Sequence, residues 1–345
     1  MLRKNLGRIV EGQTLDIGAM TEAVGSIMEG QATDAQIGAF LTALRLRGET
    51  EEEIAGAAMA LRDRCVRLPE VDSASDSGLV DTCGTGGDGA GTTNISTLAA
   101  LVAAGAGARV AKHGNRSVSS LCGSADLLKA LGVRIDMSPE VSAKCLQEAG
   151  FAFLFAPLYH PAMKSVATAR QEMGIRTLFN LIGPLCNPAG VRRQVMGVYS
   201  ENIIELIAGV LKKLGCQRAM VVASQDGLDE ISVCAPTRVA QLLENGEIRV
   251  DTLTPDELGL KTHQLDALKG GDPEHNAALS MDLLRGANGA VRDAVLVNAA
   301  AALVVSGKTG KMAEGINMAC HSIDSGKALD VLEKVKRITT AGDPV

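Results

Sequence analysis

The apolar pair Leu79-Val80 runs into Asp81-Thr82-Cys83-Gly84-Thr85-Gly86-Gly87-Asp88-Gly89, and a helix-compatible run, Ile95-Ser96-Thr97-Leu98-Ala99-Ala100-Leu101, follows. Strand, glycine loop and helix start form the layout of a phosphate site. Glycines let backbone N–H groups approach an anion, and a helix N-terminus adds unpaired donors and a positive dipole end. Gly84-x-Gly86-x-x-Gly89 also fits the dinucleotide fingerprint. That fingerprint expects a ribose-binding acid about 20 residues on, where this chain has Ala108-Arg109-Val110-Ala111-Lys112-His113. A nucleoside-triphosphate loop would end Gly-Lys-Ser/Thr; this one ends Gly89-Ala90-Gly91-Thr92-Thr93. A plain turn would not call for four glycines in six residues. An anion cradle is the reading left, with Asp88 as an acid that such a cradle does not need.

Charge decides how the anion can be met. The net charge of −6 argues against a nucleic-acid surface, and aromatics at 2% with no Trp supply no base-stacking platform. Local cations, side-chain or metal, must do the work. Eight dispersed cysteines include no Cys-x-x-Cys pair, which excludes zinc and redox motifs and suits reduced thiols in a cytoplasmic protein. Met1-Leu2-Arg3-Lys4-Asn5 leads into no signal-peptide pattern, and no run of 18 apolar residues predicts a membrane span.

Two textures divide the 345 residues. Up to about Arg64 the pattern is all-helical: Thr33-x-x-Gln36 and Thr50-x-x-Glu53 read as capping boxes. Ile37, Phe40, Leu41 and Leu44, then Ile54, Ala57, Ala58 and Leu61, recur at helical spacing. Pro69 to Gly78 reads as a linker. Beyond it, strands at 108–111, 151–155, 195–199 and 219–223 alternate with helical runs at 124–131 and 203–214. Such alternation predicts a mainly parallel sheet with ligands at the strands' carboxyl ends. A helical stretch at 163–179 interrupts the alternation and is expected to rejoin the N-terminal helices across a hinge. The run 291–305 reads as a buried helix. The fold class is therefore α/β: a small all-helical domain (1–70, joined by about 163–190) and a large α/β domain with a mainly parallel central sheet (78–162 and 191–345).

Three further clusters carry chemistry. Lys112-His113-Gly114-Asn115-Arg116-Ser117-Val118-Ser119-Ser120, with Gly123-Ser124 beyond, gathers positive charge, amide and hydroxyls after a strand, as a phosphate clamp would. Asp226-Gly227-Leu228-Asp229-Glu230 follows another strand. Its acids suit either a hard divalent cation or a helix N-terminus. Arg170 or Arg176 could hold a carboxylate bidentately or serve in a surface ion pair; the stretch containing them ends in the rigid turn Gly183-Pro184-Leu185-Cys186-Asn187-Pro188. Together these features describe a magnesium-dependent enzyme acting on a phosphorylated sugar and a carboxylate-bearing partner.

Gly84-Thr85-Gly86-Gly87-Asp88-Gly89, Lys112-His113-Gly114-Asn115-Arg116, Gly183-Pro184-Leu185-x-Asn187-Pro188 and Asp226-Gly227-Leu228-Asp229-Glu230, in this order and spacing, resemble the anthranilate phosphoribosyltransferase family of tryptophan biosynthesis over essentially the whole chain. The resemblance implies transfer of phosphoribose from phosphoribosyl pyrophosphate to the anthranilate amine, at an active site in the hinge between the two domains. It implies phosphoribosyl-pyrophosphate contacts at Gly84, Gly87, Asp88, Thr92, Asn94, Ile95, Ser96, Thr97, Lys112, His113, Gly114, Asn115, Arg116, Ser117, Val118, Ser119, Ser120 and Ser124. Anthranilate contacts fall on Gly84, Asn115 and Arg170, and two Mg2+ ions per subunit on Ser96, Asp229 and Glu230. Lys112 is implied as an electrostatic catalyst, with no covalent nucleophile, in a cytoplasmic homodimer joined through the helical domain and binding neither nucleic acid nor membrane. One departure stands out: the family often has His-Gly before the acidic motif, where this chain has Ala223-Ser224. A pyrimidine nucleoside phosphorylase-like enzyme and a non-catalytic nucleic-acid-binding relative share the expected architecture. The Lys112 loop and the Asp229-Glu230 pair distinguish this chain from both.

Overall fold

The computed structural model describes residues 2–69, 78–116 and 121–341. Most of the Pro69–Gly78 linker and the site residues Ser117, Val118, Ser119 and Ser120 therefore lie outside the described residues. Four N-terminal helices, α1 (Leu2–Val10), α2 (Ile17–Met28), α3 (Asp34–Arg47) and α4 (Glu51–Arg62), form the helical part. Both capping boxes are present: Thr33 with Gln36 opens α3 and Thr50 with Glu53 opens α4. Glu53 does more than cap. Fully buried, it also accepts from the Leu15 amide at 2.9 Å and pairs with Arg47, so one carboxylate ties the α1–α2 connection to the α3–α4 connection.

Seven strands, β1 (Leu79–Asp81), β2 (Arg109–Gly114), β3 (Phe151–Phe155), β4 (Arg193–Gly197), β5 (Arg218–Ser224), β6 (Thr237–Leu242) and β7 (Ile248–Leu253), form one sheet in the order β3-β2-β1-β4-β5-β6-β7. The first five in that order are parallel; β6 and β7 add an antiparallel meander beside β5. The parallel strands lie within a few residues of their expected positions, whereas the meander was not expected. From β1 the chain moves outward through β2 and β3, then returns to β4 on β1's other side. The strand order therefore reverses between β1 and β4, the crevice where open parallel sheets bind ligands.

The stretch 163–179 is not one helix. A 3-10 turn (Pro161–Val166) precedes Ala167–Met173, then Gly174 at φ +60° ends that helix and Thr177 starts Leu178–Ile182. Glycine supplies the left-handed residue that closes a helix. Val166, Ala169, Leu178, Phe179 and Ile182 share an apolar core with α2, α3 and α4. That core continues through Ile204–Lys213 onto Met196, Val221 and Ala240 of the sheet. A second core lies around α5 (Ile95–Gly105) and the buried helix Ala290–Val305. Among the described residues no helix is long and apolar enough to cross a membrane.

Candidate active site

The glycine loop leaves β1 at the strand-order reversal. Gly86, Gly87, Gly89 and Gly91 all take positive φ, which explains why the segment needs glycine. The Thr85 amide donates to the Gly197 carbonyl at 2.8 Å and so ties the loop to the end of β4. On the far side, Gly270 N donates to Gly91 O at 2.9 Å and Thr93 N to Leu268 O at 2.9 Å. Asp88 accepts from the Ala90 amide at 3.2 Å, so part of that acid's role is to shape its own loop.

The α5 N-terminus differs from the expected open cradle. Ile95 N is taken by Thr93 O, Thr97 N and Leu98 N by Asn94 O, and Ser96 N by the Glu230 carboxylate at 3.1 Å. The first-turn donors are thus engaged, so an anion cradle here would have to come from the glycine-loop amides. Ile95 and Thr97 are buried, so their side chains belong to the core. Asn94 does not cap α5; its amide donates to Cys122 O at 3.0 Å and accepts from Asn276 at 3.1 Å.

The alternatives for the acidic motif resolve across space. No helix starts at residues 226–230. Asp226 folds its own turn, accepting from the Leu228 amide at 3.3 Å and the Ser232 hydroxyl at 2.6 Å. Asp229 reaches the glycine loop, accepting from Gly86 N at 2.7 Å, while Glu230 caps α5. Asn298 clamps Ile231 from the buried helix through both its N–H (3.0 Å) and its C=O (2.9 Å). Ser224, at the departure from the family pattern, closes the turn through Leu228 O at 3.0 Å, which leaves Asp229 and Glu230 inside the site. Burial, then the neighbouring Asp88 charge, pushes Asp229 up to about 6; burial, then Asp229, pushes Glu230 up to about 8.

Lys112 is the buried counter-charge. Its ammonium donates to Thr82 O at 2.9 Å, Thr82 Oγ1 at 3.3 Å and Ser96 Oγ at 3.2 Å. All three protons have protein acceptors, so Lys112 acts as a fixed positive charge and not as a free clamp. Cys83 is not a nucleophile in waiting: burial, then the Asp81 charge, raises its thiol far above the usual range.

Strand alternation sends His113 to the other side of β2. Its Nδ1 lies 3.2 Å from Gly183 O, and a carbonyl only accepts, so Nδ1 carries the proton. The ring meets His160 edge-on at 5.1 Å between centroids. Burial lowers His113 to about 3, with His160 adding to the effect, and burial lowers His160 to about 4. In an NMR titration of the imidazole ring carbons, both histidines are therefore expected to stay neutral down to about pH 5. A midpoint above about pH 6 for either would contradict the dry pair. The unfolded chain protonates these groups near pH 6.5 and the fold does so only near their lowered values, so their contribution to stability is lost as pH falls. Asp81, pushed up to about 6 chiefly by burial, acts with the opposite sign between its unfolded and folded values.

The remaining expected residues sit at the rim. Gly114 ends β2 beside Ser124, whose hydroxyl donates to Asn115 O at 3.1 Å; Asn115 and Arg116 are exposed, and Arg116 lies over Phe155. Arg170 is half-buried over Phe179 at 5.8 Å, and no hydrogen bond among the described residues joins it to Gly84 or Asn115. Arg176, not Arg170, reaches the glycine loop: it stacks on Tyr199 at 4.5 Å and donates to Gly87 O. Arg176 stood among the residues weighed from sequence; Gly197, His160, Asn276 and the Asp81–Asn187 pair did not.

The chain matches the glycosyl transferase family's helical bundle domain over residues 3–65 and its a/b domain over residues 76–329. It is 51% identical over 343 residues to anthranilate phosphoribosyltransferase of Thermomicrobium roseum, covering 99% of this chain and 98% of that protein. The crystal structure of anthranilate phosphoribosyltransferase from Thermus thermophilus superposes with a TM-score of 0.91 at 43% identity, covering 97% of this chain and 99% of that one. The Saccharomyces cerevisiae enzyme in complex with PRPP and Mg gives 0.88 at 30% identity, with 99% and 98% covered.

Proposed function

The chain belongs to the anthranilate phosphoribosyltransferase family, and from that premise we propose how this site performs the family's reaction. The enzyme transfers phosphoribose from 5-phosphoribosyl 1-pyrophosphate to the amine of anthranilate, giving N-(5-phosphoribosyl)anthranilate and pyrophosphate in tryptophan biosynthesis. One observation carries the reading of the site: a loop shaped for phosphate is faced by Asp88, Asp229 and Glu230, with Lys112 as the buried positive charge among them. Such a cradle admits a pyrophosphate only in company with cations.

The donor set fits Mg2+. Asp229, Glu230 and the Ser96 hydroxyl are hard oxygen donors, and the two neighbouring acids form a concentration of negative charge that a divalent cation would offset. Among the described residues no group of three or more His, Cys, Asp or Glu side chains converges. With two acids and one hydroxyl from the protein, substrate oxygens would complete the coordination of the two ions per subunit. When bound, Mg2+ neutralises charge that develops on the departing pyrophosphate. The loop amides at Gly84, Gly87 and Asp88 hold the pyrophosphate end, and Thr92, Asn94 and Ser96 shape the wall behind it. Lys112 holds a fixed charge as the C1–O bond breaks with its electron pair on pyrophosphate, and the amine nitrogen bonds to C1 and releases one of its protons to water. Asn115, Arg170 and the His113-Gly114 backbone face the second substrate. The aniline-type amine is neutral at pH 7 and needs no strong base, in keeping with the lowered His113.

Exposed Val10 and Leu46, 71% and 83% accessible on α1 and α3, support a homodimer joined through the helical domain. The absence of Cys-x-x-Cys spacing supports a reducing, cytoplasmic setting. The test is anthranilate fluorescence followed with phosphoribosyl pyrophosphate, with and without Mg2+. Magnesium-dependent loss of signal is expected. Turnover of thymidine with phosphate, or salt-sensitive DNA binding without turnover, would transfer the assignment to the two alternatives.

A further inference from the structure

The two halves of the site meet at a buried pair that the reaction itself does not use. Asp81 ends β1 and is completely buried; Asn187, 5% accessible, sits in the Gly183–Pro188 turn. Asn187 Nδ2 donates to Asp81 Oδ2 at 2.7 Å and to Ala111 O on β2 at 2.8 Å. Asp81 Oδ1 accepts from His113 N at 3.2 Å, and the His113 ring returns to the same turn through Gly183 O at 3.2 Å. With the chain from Gly183 to Asn187, three hydrogen-bonded links close a ring, Asp81–His113–Gly183–Asn187–Asp81.

That ring joins two bodies. On one side are Thr82, which holds the Lys112 ammonium, and the glycine loop that leaves β1. On the other is the turn that continues from Leu178–Ile182 and from the segment carrying Arg170. We propose that Asp81 and Asn187 are positioning residues that hold the acceptor-side turn in register with the phosphoribosyl-side strands. An amine and a sugar carbon react fast only when held in line, and misplacement of one substrate by about 1 Å costs roughly 10²-fold in rate. Neither residue touches a reacting atom in this scheme. Each half-site keeps its own contacts when the pair is broken, so affinity for each substrate survives while their mutual alignment is lost.

The inference rests on the reaction proposed above, and its test keeps the two separable. Asn187→Ala, the milder Asn187→Ser, Asp81→Asn and the double variant Asp81→Asn/Asn187→Ala are assayed as full-length protein, with thermal melts to correct for any unfolded fraction. We expect kcat per folded molecule to fall about 30- to 100-fold in Asn187→Ala. Both KM values should stay within about threefold of the parent, and the double variant should be no worse than the worse single, as coupled sites behave. A folded Asn187→Ala or Asn187→Ser with parental kcat, a loss confined to one KM, a loss explained by unfolding alone, or additive effects in the double variant would overturn it. Failure of the parent protein to turn over anthranilate would instead overturn the assigned reaction.

Discussion

Asp229→Asn and Glu230→Gln are expected to lower turnover by on the order of 10³-fold while making the metal-free protein more heat-stable. Both effects have one cause. The two carboxylates are partly buried beside each other; desolvation, with the Asp88 charge acting on Asp229 and the Asp229 charge on Glu230, raises them to about 6 and about 8. An amide keeps the anchoring bond and removes the charge: its carbonyl oxygen can still accept from Gly86 N in the first variant and from Ser96 N in the second. A folded-state value above the unfolded one means that ionisation costs stability. The cost is absent below about pH 4, grows as pH rises, and is complete above about 6 for Asp229 and about 8 for Glu230. At pH 8 each variant should melt roughly 2–4 °C above the parent, and at pH 4 the gain should vanish. Mg2+ should reverse the ranking by stabilising the parent more than either variant. Melts at several pH values, with and without Mg2+, read all of this. A variant that still gains full stabilisation from Mg2+, or keeps turnover within tenfold, would remove these acids from the metal site.

The contrast between Arg170 and Arg176 shows where sequence reading stops. Spacing placed both near the rigid turn but could not tell which one crosses to the glycine loop. That depends on Gly174 breaking the helix and on Tyr199 offering a ring face across β4. Local chemistry was readable: the capping boxes at Thr33 and Thr50 and the positive-φ glycines follow from short-range rules, whereas Lys112, expected in the loop after the strand, lies within β2. Even the missed meander carried a local signal. Asn245-Gly246, with Gly246 at φ +79°, joins β6 to β7 in the way Asn-Gly hairpins do. The fate of the acidic motif was not local. Asp226, Asp229 and Glu230 look alike in the chain, yet one folds a turn, one anchors a loop 143 residues away, and one caps a helix 134 residues away. His160 gives no sequence signal stronger than an ordinary buried polar residue, and Asn187, though part of the Gly183–Pro188 turn motif, gives no sign of its partner Asp81, because both matter through what folding brings beside them.

Gly197 is the extreme case, since its need for glycine exists only in the folded molecule. It ends β4 as an ordinary strand residue, and no positive φ demands a glycine there. A Cβ built on it would lie 1.5 Å from the Asp229 carbonyl oxygen and 2.5 Å from its carbon, so two backbones pass where no side chain fits. Gly197→Ala must therefore push away the segment carrying Asp229 and Glu230, and with it the Thr85–Gly197 bond that seats the glycine loop. Backbone cannot rotate aside as a flexible side chain can, so the cost should be at the top of the usual range for overpacking, or about 3 kcal/mol. Turnover should fall at least about 10³-fold, and Mg2+ should no longer raise the melting temperature. Gly86→Ala is the control. It carries the left-handed strain of φ +64° but has no atom within 4 Å of its Cβ, so it should cost only about 1–2 kcal/mol in stability and keep its response to Mg2+. If the two variants behave alike, loop conformation and not backbone approach governs the site. If Gly197→Ala keeps activity within tenfold, the acidic segment has freedom that this packing denies it.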